Sequence, residues 1–281
     1  MSTTPATASA STLPTIAFIG GGNMASAIIG GLISQGHPVN QIEVVEPYAP
    51  TREALLKNFG LTAQPEAGAA LQRASIVVWA VKPQTFKDAA VQVQPHTQQA
   101  LHLSVAAGIR SDSIAQWLAT ERIVRTMPNT PALVGKGMSA IYARPAVTSA
   151  ERQSVEAIMA STGEFLWVES ETQLDAVTAL SGSGPAYVFY FLEAMTRAGV
   201  GMGLSDAQAH KLAVGTFVGA SELARRSDEP PAVLRERVTS KGGTTYAALQ
   251  SMQASGVGEA FERAMQAAEK RAQELGDEFG K

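Results

Sequence analysis

Through roughly the first 170 residues, short apolar runs alternate with stretches whose apolar positions recur every three or four residues. The runs cover residues 15–19, 42–46, 75–81, 101–106 and 122–127, each rich in Val, Ile and Leu and without strict polar alternation. That pattern predicts strands buried on both faces, as in a parallel sheet covered by helices. Between them, residues 24–33, 52–59 and 111–118 predict helices. In the first of these, Met24, Ile28 and Leu32 fall on one stripe. Gly60 follows the second, in the position where a left-handed helix cap favours glycine. Two more strand-like runs, 138–143 and 165–168, flank a helical stretch over about 150–160. Strands alternating with helices predict an α/β fold with a doubly wound, mainly parallel sheet.

Beyond Glu169 the strand signal ends, and successive helices are expected over 171–180, 185–201, 206–225, 230–238, 244–252 and 258–275. Ala, Leu, Met and Glu dominate there, and Gly or Pro punctuates the joins. The chain therefore divides into a leader over 1–14, an α/β domain over 15–170 and an all-helical domain over 171–281. The leader is rich in Ser, Thr and Ala, with neither a basic segment nor an apolar core of the kind a secretory signal needs, and is expected to be disordered. No apolar run approaches the roughly 20 residues that span a bilayer, so no membrane partner and a cytoplasmic location are expected. An Ala-rich helical half with no sheet to cover it is expected to bury its apolar faces against a second copy, as a homodimer.

Composition narrows the chemistry. A hydrophobic content of 45% with 17% charged residues is that of a globular protein. The formal net charge of −3 argues against nucleic acid, which needs a clustered excess of Lys and Arg. With no cysteine, disulfides, thiolate metal sites and cysteine nucleophiles are excluded.

The most informative segment is Gly20-Gly21-Gly22-Asn23-Met24-Ala25. It follows the first strand and opens the first helix, the context required of the G-x-G-x-x-A dinucleotide fingerprint. Gly20 allows the tight turn, Gly22 lets backbone approach a pyrophosphate, and Ala25 lets helix and strand pack closely. The pyrophosphate would then meet the free N–H groups and positive dipole end of the helix. Glu46, ending the second strand, is placed to accept hydrogen bonds from the ribose hydroxyls, which favours NAD. Arg52 could instead grip a 2′-phosphate, which favours NADP. The two signals conflict, and either NADPH or NADH fits.

Further clusters of Gly, Pro and small hydroxyl residues fall at strand ends and helix starts. Ala80-Val81-Lys82-Pro83 and Val105-Ala106-Ala107-Gly108 each end a strand, where a doubly wound sheet forms its ligand crevice. Arg125-Thr126-Met127-Pro128-Asn129-Thr130-Pro131-Ala132 follows a third strand, and its prolines stiffen the loop. Leu180-Ser181-Gly182-Ser183-Gly184-Pro185-Ala186-Tyr187 starts a helix, with Pro185 suited to the first turn. Val238-Thr239-Ser240-Lys241-Gly242-Gly243-Thr244-Thr245 links two helices. There the N–H groups of Gly243, Thr244 and Thr245 form a nest suited to a carboxylate, with the Ser240 hydroxyl as a further donor. Taken alone, the same loop reads equally as a glycine-rich interhelical turn capped by a threonine.

In this order, the motifs GGGNMA, AVKP, AAG, RTMPNTPA, SGSGPAYV and TSKGGTT resemble the pyrroline-5-carboxylate reductases, over essentially the whole chain but the leader. The resemblance implies an N-terminal Rossmann domain and a helical C-terminal dimerisation domain that interlocks with that of a second subunit. Several members build rings from such dimers, commonly decamers of five. It implies reduction of a cyclic imine, 1-pyrroline-5-carboxylate, to L-proline with NADPH or NADH, the last step of proline biosynthesis. By the same resemblance, Ala80–Pro83 and Ala106–Gly108 touch the nicotinamide half of the cofactor. Ser240, Gly242, Gly243, Thr244 and Thr245, with Asn129 and Thr130, bind substrate, and the Thr245 hydroxyl reaches the imine nitrogen. The chain departs from the family at Lys241, where proline is usual; the lysine either adds positive potential near a carboxylate or points to solvent.

The histidines His37, His96, His102 and His210 all lie outside these motifs, which argues against a histidine general acid. His102, within a strand, reads as a core or edge residue. Lys82 is the charged side chain of the crevice turns and reads as structural or phosphate-directed rather than as a proton donor. Two other readings share the cofactor turn. A β-hydroxyacid dehydrogenase would carry a catalytic lysine on a helix soon after the domain junction, and residues 182–197 contain none. A non-catalytic NADP-binding regulator would lack an intact substrate loop, whereas Ser240–Thr245 is complete.

Overall fold

The computed structural model describes residues 13–280; most of the leader expected over 1–14 lies outside the described residues. The strands are β1 (Ile16–Ile19), β2 (Ile42–Val45), β3 (Ile76–Trp79), β4 (Leu101–Ser104), β5 (Ile123–Met127), β6 (Gly137–Ala143) and β7 (Gly163–Trp167). They form one sheet in the order β2-β1-β3-β4-β5-β6-β7. The first five are parallel, β6 runs antiparallel to β5, and β7 parallel to β6. The sheet is therefore mainly parallel, as the apolar runs predict.

Successive residues of the central strands β1 and β3 feed two separate cores, to which neighbouring strands add. Ile16, Phe18, Val44, Val78 and Leu103 face α1 (Asn23–Ser34) and α5 (Ser149–Ala160). Ala17, Ile19, Val77, Trp79 and Ile123 face α3 (Pro83–Val93) and α4 (Ser111–Leu118). With helices on both faces the strands are mostly apolar, and polar side chains within them such as His102, Ser104 and Arg125 are buried. α2 (Ala49–Phe59) ends, as expected, on Gly60 in the left-handed conformation, with φ of 68°. α3 was not apparent from the apolar runs, yet Phe86, Ala90 and Val93 bury one stripe and Pro83 opens it.

One buried pair makes the sheet pH-sensitive. The Trp79 indole N–H donates to Nδ1 of His102 at 3.0 Å within the core, so His102 is a core residue. Burial chiefly, with repulsion from Arg122 added and a hydrogen bond with the Thr97 backbone opposing, lowers its pKa to about 4. A protonated Nδ1 could not accept from Trp79, so the neutral form belongs to the folded state. Between pH 6.5 and about 4 the unfolded chain binds the proton and the folded chain does not. Stability from this residue is complete above pH 6.5 and falls with pH to a loss of about 3 kcal/mol at pH 4. Chemical denaturation at stepped pH is expected to show that slope, and His102→Gln to flatten it; an unchanged slope would locate the effect elsewhere.

The C-terminal half carries α6 (Gln173–Val177), a π-helical turn over Thr178–Gly182, α7 (Gly184–Gly201), α8 (Asp206–Arg226), α9 (Pro231–Arg237), α10 (Thr244–Ala254) and α11 (Val257–Phe279). The helix expected over 171–180 is thus a short α-helix followed by a widened turn. The described chain separates into two compact units. One contains the sheet and runs to Gly182, with the chain from Glu269 onward added; the other is Ser183–Ala268. Among the described residues no helix is long and apolar enough to cross a membrane.

Candidate active site

In the sheet-bearing unit, β1 ends in a turn whose three glycines differ in what a side chain would meet. Gly20 has φ of 92°, and a Cβ there would lie 2.6 Å from the Ala80 carbonyl oxygen. A Cβ on Gly21 would lie 2.7 Å from Cδ1 of Leu55, so this glycine lets α2 close over the turn. Gly22 faces open space, with nothing within 4 Å of such an atom. It is the N-cap of α1, and no side chain among the described residues caps the helix. Asn23 is exposed, Met24 half-buried and Ala25 fully buried beneath the turn. An open space over uncapped N–H groups at the positive end of a twelve-residue helix fits a dinucleotide pyrophosphate.

Glu46 does something the sequence did not suggest. Its carboxylate accepts the N–H of Gly21 and the N–H of Tyr48, each at 2.8 Å, tying the glycine turn to the β2–α2 loop. Arg52 donates through Nη1 to the carbonyl oxygens of Glu46 at 3.0 Å and Pro47 at 2.6 Å. The two residues with opposing cofactor signals therefore brace the same loop.

Strand register brings the other turns beside this one. Ile19 pairs with Trp79, and Trp79 with Ser104, so β1, β3 and β4 end at one level. Ala80–Pro83 and Ala106–Gly108 therefore leave the sheet at the same edge as Gly20, as the motifs predict. Within the first, Lys82 is exposed and caps α3 through its backbone. Ala106 is buried and Ala107 exposed, while Gly108 is left-handed with φ of 71°.

Behind that edge sits a buried ion pair that sequence reasoning missed. Arg125, in the centre of β5 and 5% exposed, donates to Glu171 at 2.6 Å. The same carboxylate accepts the Ser111 N–H at 2.5 Å and the Ser111 hydroxyl at 2.6 Å, which anchors the start of α4. A charge inside an otherwise apolar strand is the signal that marks it, since burial demands a partner. Asn129 is also committed: Oδ1 accepts the Met138 N–H at 2.9 Å and Nδ2 donates to the Ser181 carbonyl at 3.1 Å. Both ends of the amide thus brace backbone, one of them in the π-helical turn. Thr130 is exposed at the start of a short 3-10 turn.

The second unit holds the glycine loop. Gly242 has φ of 76°, and a Cβ on Gly243 would meet Oγ of Ser240 at 2.6 Å, so neither position accepts a side chain without rearrangement. The Gly243 N–H donates to the Ser240 carbonyl at 3.0 Å. That corrects the expected nest: Gly243 closes the turn, and the N–H groups left for an anion are those of Thr244 and Thr245, opening the eleven-residue α10 without a side-chain cap among the described residues. Ser240 and Lys241 are exposed and Thr245 half-buried. The same unit leaves large apolar side chains bare in the single chain, among them Phe189, Tyr190, Leu212, Val218 and Leu223.

Comparison with known proteins identifies the family. Residues 171–275 match the family model described as pyrroline-5-carboxylate reductase dimerisation. Residues 15–108 match the model described as NADP oxidoreductase, coenzyme F420-dependent. The pyrroline-5-carboxylate reductase of Pseudomonas aeruginosa is 43% identical, over 95% of this chain and 98% of that protein. The chain belongs to the pyrroline-5-carboxylate reductase family. The family's enzyme from Haemophilus influenzae is 40% identical over 92% of the chain and 97% of its own length. Among solved structures, the reductase of Coxiella burnetii superimposes with a TM-score of 0.86 at 36% identity, covering 93% of this chain and 98% of that one. The Plasmodium falciparum enzyme, solved with NADP bound, gives 0.85 at 28% identity, covering 94% and 99%. The family membership spans both halves of the chain, and with it the α/β fold followed by a helical dimerisation domain.

Proposed function

We infer that the chain reduces 1-pyrroline-5-carboxylate to L-proline with NADPH or NADH, the last step of proline biosynthesis. The observation that carries this is the pairing, in one family member, of an open dinucleotide turn at Gly20–Ala25 with an uncapped helix start at Thr244–Thr245. The reaction adds a hydride to the imine carbon and a proton to its nitrogen. The reduced nicotinamide, when bound, supplies the hydride.

The chain's own residues bind, orient and shield. Gly20–Ala25 hold the pyrophosphate, with Glu46 keeping the turn in shape and its loop beside the ribose. Ala80–Pro83 and Ala106–Gly108 present small, mostly uncharged walls to the nicotinamide. The N–H groups of Thr244 and Thr245, with the Ser240 hydroxyl, hold the substrate carboxylate. An imine of this kind protonates near neutral pH, so the substrate arrives as an electrophilic iminium and no strong acid is needed. The Thr245 hydroxyl then orients the nitrogen. NADP in a relative and the NADP-oxidoreductase match of residues 15–108 favour NADPH, with Arg52 positioned on the ribose-side loop. The bare apolar faces of the helical unit support a homodimer, and five such dimers in a ring follow by family likeness. The cytoplasm is the proposed location.

The test is oxidation of NADPH or NADH on adding 1-pyrroline-5-carboxylate, run beside 3-hydroxyacids with NAD or NADP. Imine-dependent oxidation with no turnover of the hydroxyacids is expected; its absence would refute the reading. Competing NADPH and NADH in the same assay ranks the cofactors.

A further inference from the structure

The last turns of the chain converge on one short segment, Gly108–Ser113, which leads from β4 into α4. A Cβ on Gly108 would lie 3.0 Å from Cβ of Leu275, and one on Gly276 would lie 3.1–3.2 Å from the Arg110 guanidinium. Gly276 is buried. Asp277 pairs with Arg110 at 3.1 Å, and the Ser113 hydroxyl donates to the Gly280 carbonyl at 2.8 Å. Phe279 packs on the core that includes Ile109, Ile114 and Leu118. From another side, Glu171 grips Ser111. Accordingly the chain from Glu269 onward belongs to the sheet-bearing unit, although it is the end of a helix that begins in the other.

These contacts are not equal in weight. Asp277 is 76% exposed, so its ion pair contributes little. Packing of Leu275, Gly276 and Phe279 and the Ser113 hydrogen bond carry the attachment. The segment they hold, from Val105 to Arg110, has no helix or strand of its own and includes a left-handed glycine. Its position is therefore set by what packs against it.

We propose that Leu275–Gly280 is a positioning element for hydride transfer, fixing the Ala106–Gly108 turn where the nicotinamide ring must lie; this rests on the function inferred above. The physical reason is geometric: a misplacement of about 1 Å at a hydride-transfer site can cost roughly a hundredfold in rate. The pyrophosphate turn at Gly20–Ala25 makes none of these contacts, so affinity and alignment separate.

A chain ending at Glu274 tests this beside the full-length protein. Amide hydrogen exchange over 106–113 is expected to rise about tenfold or more while exchange in β1 and α1 stays unchanged. NADPH is expected to bind within about threefold of the full-length affinity but with reduced nicotinamide fluorescence. The kcat is expected to fall at least about tenfold with KM for the imine within about threefold, and the isotope effect with 4-deuterated NADPH to increase. Exchange, fluorescence and kcat all within about twofold of the full-length chain would overturn the proposal. Should the shortened chain fail to fold, Leu275→Ala combined with Ser113→Ala is read by the same measurements, with about threefold effects supporting and none overturning. If the full-length chain does not oxidise NADPH with the imine, the functional reading fails on its own, and exchange and fluorescence still decide whether the C-terminal turns hold the Ala106–Gly108 segment.

Discussion

Gly20→Ala is expected to raise the Kd for NADPH at least about a hundredfold, which corresponds to roughly 3 kcal/mol. The residue has φ of 92°, where a non-glycine residue costs about 1–2 kcal/mol. The added Cβ would meet the Ala80 carbonyl oxygen at 2.6 Å, and that oxygen cannot retreat. Ala80 is tied by its own N–H to Ile19 at 2.8 Å and continues from a strand buried along its whole length. The turn must move instead, and moving it strains the 2.8 Å bond from Gly21 to Glu46 and tilts the start of α1. Gly22→Ala is the informative control. Its φ of −67° suits alanine and nothing lies within 4 Å, so the free protein keeps its Tm. The new methyl group nevertheless projects into the space proposed for the pyrophosphate. Fluorescence titration with NADPH and thermal unfolding should therefore show both quantities falling for Gly20→Ala and affinity alone for Gly22→Ala. A Gly20→Ala chain that binds NADPH within threefold of the parent would mean the turn is not the dinucleotide site.

The contrast between those two glycines also shows where sequence stops being legible. The fingerprint spacing identifies the turn and accounts for the positive φ of Gly20 and the open face of Gly22, because both are local backbone properties. Gly21 is different: its need for smallness comes from Leu55 on α2, a contact that no local pattern encodes. Glu46 was visible as an acid at a strand end, but its grip on the Gly21 and Tyr48 N–H groups depends on how the β2–α2 loop folds back. The parallel sheet was legible from five mostly apolar runs, since burial on both sides leaves a one-dimensional trace. The helix Pro83–Val93 left a fainter trace, because its buried stripe consists of only Phe86, Ala90 and Val93. The Arg125–Glu171–Ser111 cluster joins residues far apart in sequence, so only the position of Arg125 in an apolar strand hinted at it. In the glycine loop the motif was read as three free N–H groups. The Gly243 N–H closes the turn onto Ser240, a choice made by the left-handed φ of Gly242.

Thr245→Ala is expected to lower kcat by about a hundredfold, as losing a positioning contact at the reacting centre can, with NADPH affinity within about threefold. The expectation follows from what the reaction requires. The iminium already carries its proton, so the enzyme's task at nitrogen is to fix the ring so that the imine carbon meets the hydride. Holding both reactants in attack geometry can supply as much as roughly 7–11 kcal/mol. Thr245 sits half-buried at the second position of α10, on the same helix start whose N–H groups are left free for the carboxylate. Removing its hydroxyl leaves those N–H groups in place, so the substrate still binds by its carboxylate while its ring loses one anchor. Thr245→Ser should restore most of the turnover, because it keeps the hydroxyl and changes only a methyl group. A hydroxyl has a pKa far above neutrality, so the pH dependence of kcat should not acquire a new ionisation from Thr245 in the parent nor lose one in the variant. Steady-state kinetics with 1-pyrroline-5-carboxylate and a separate NADPH titration distinguish the alternatives. Equal losses in kcat and NADPH affinity would show that Thr245 only supports the loop, and a serine variant as slow as the alanine would show that the hydroxyl is not the acting group.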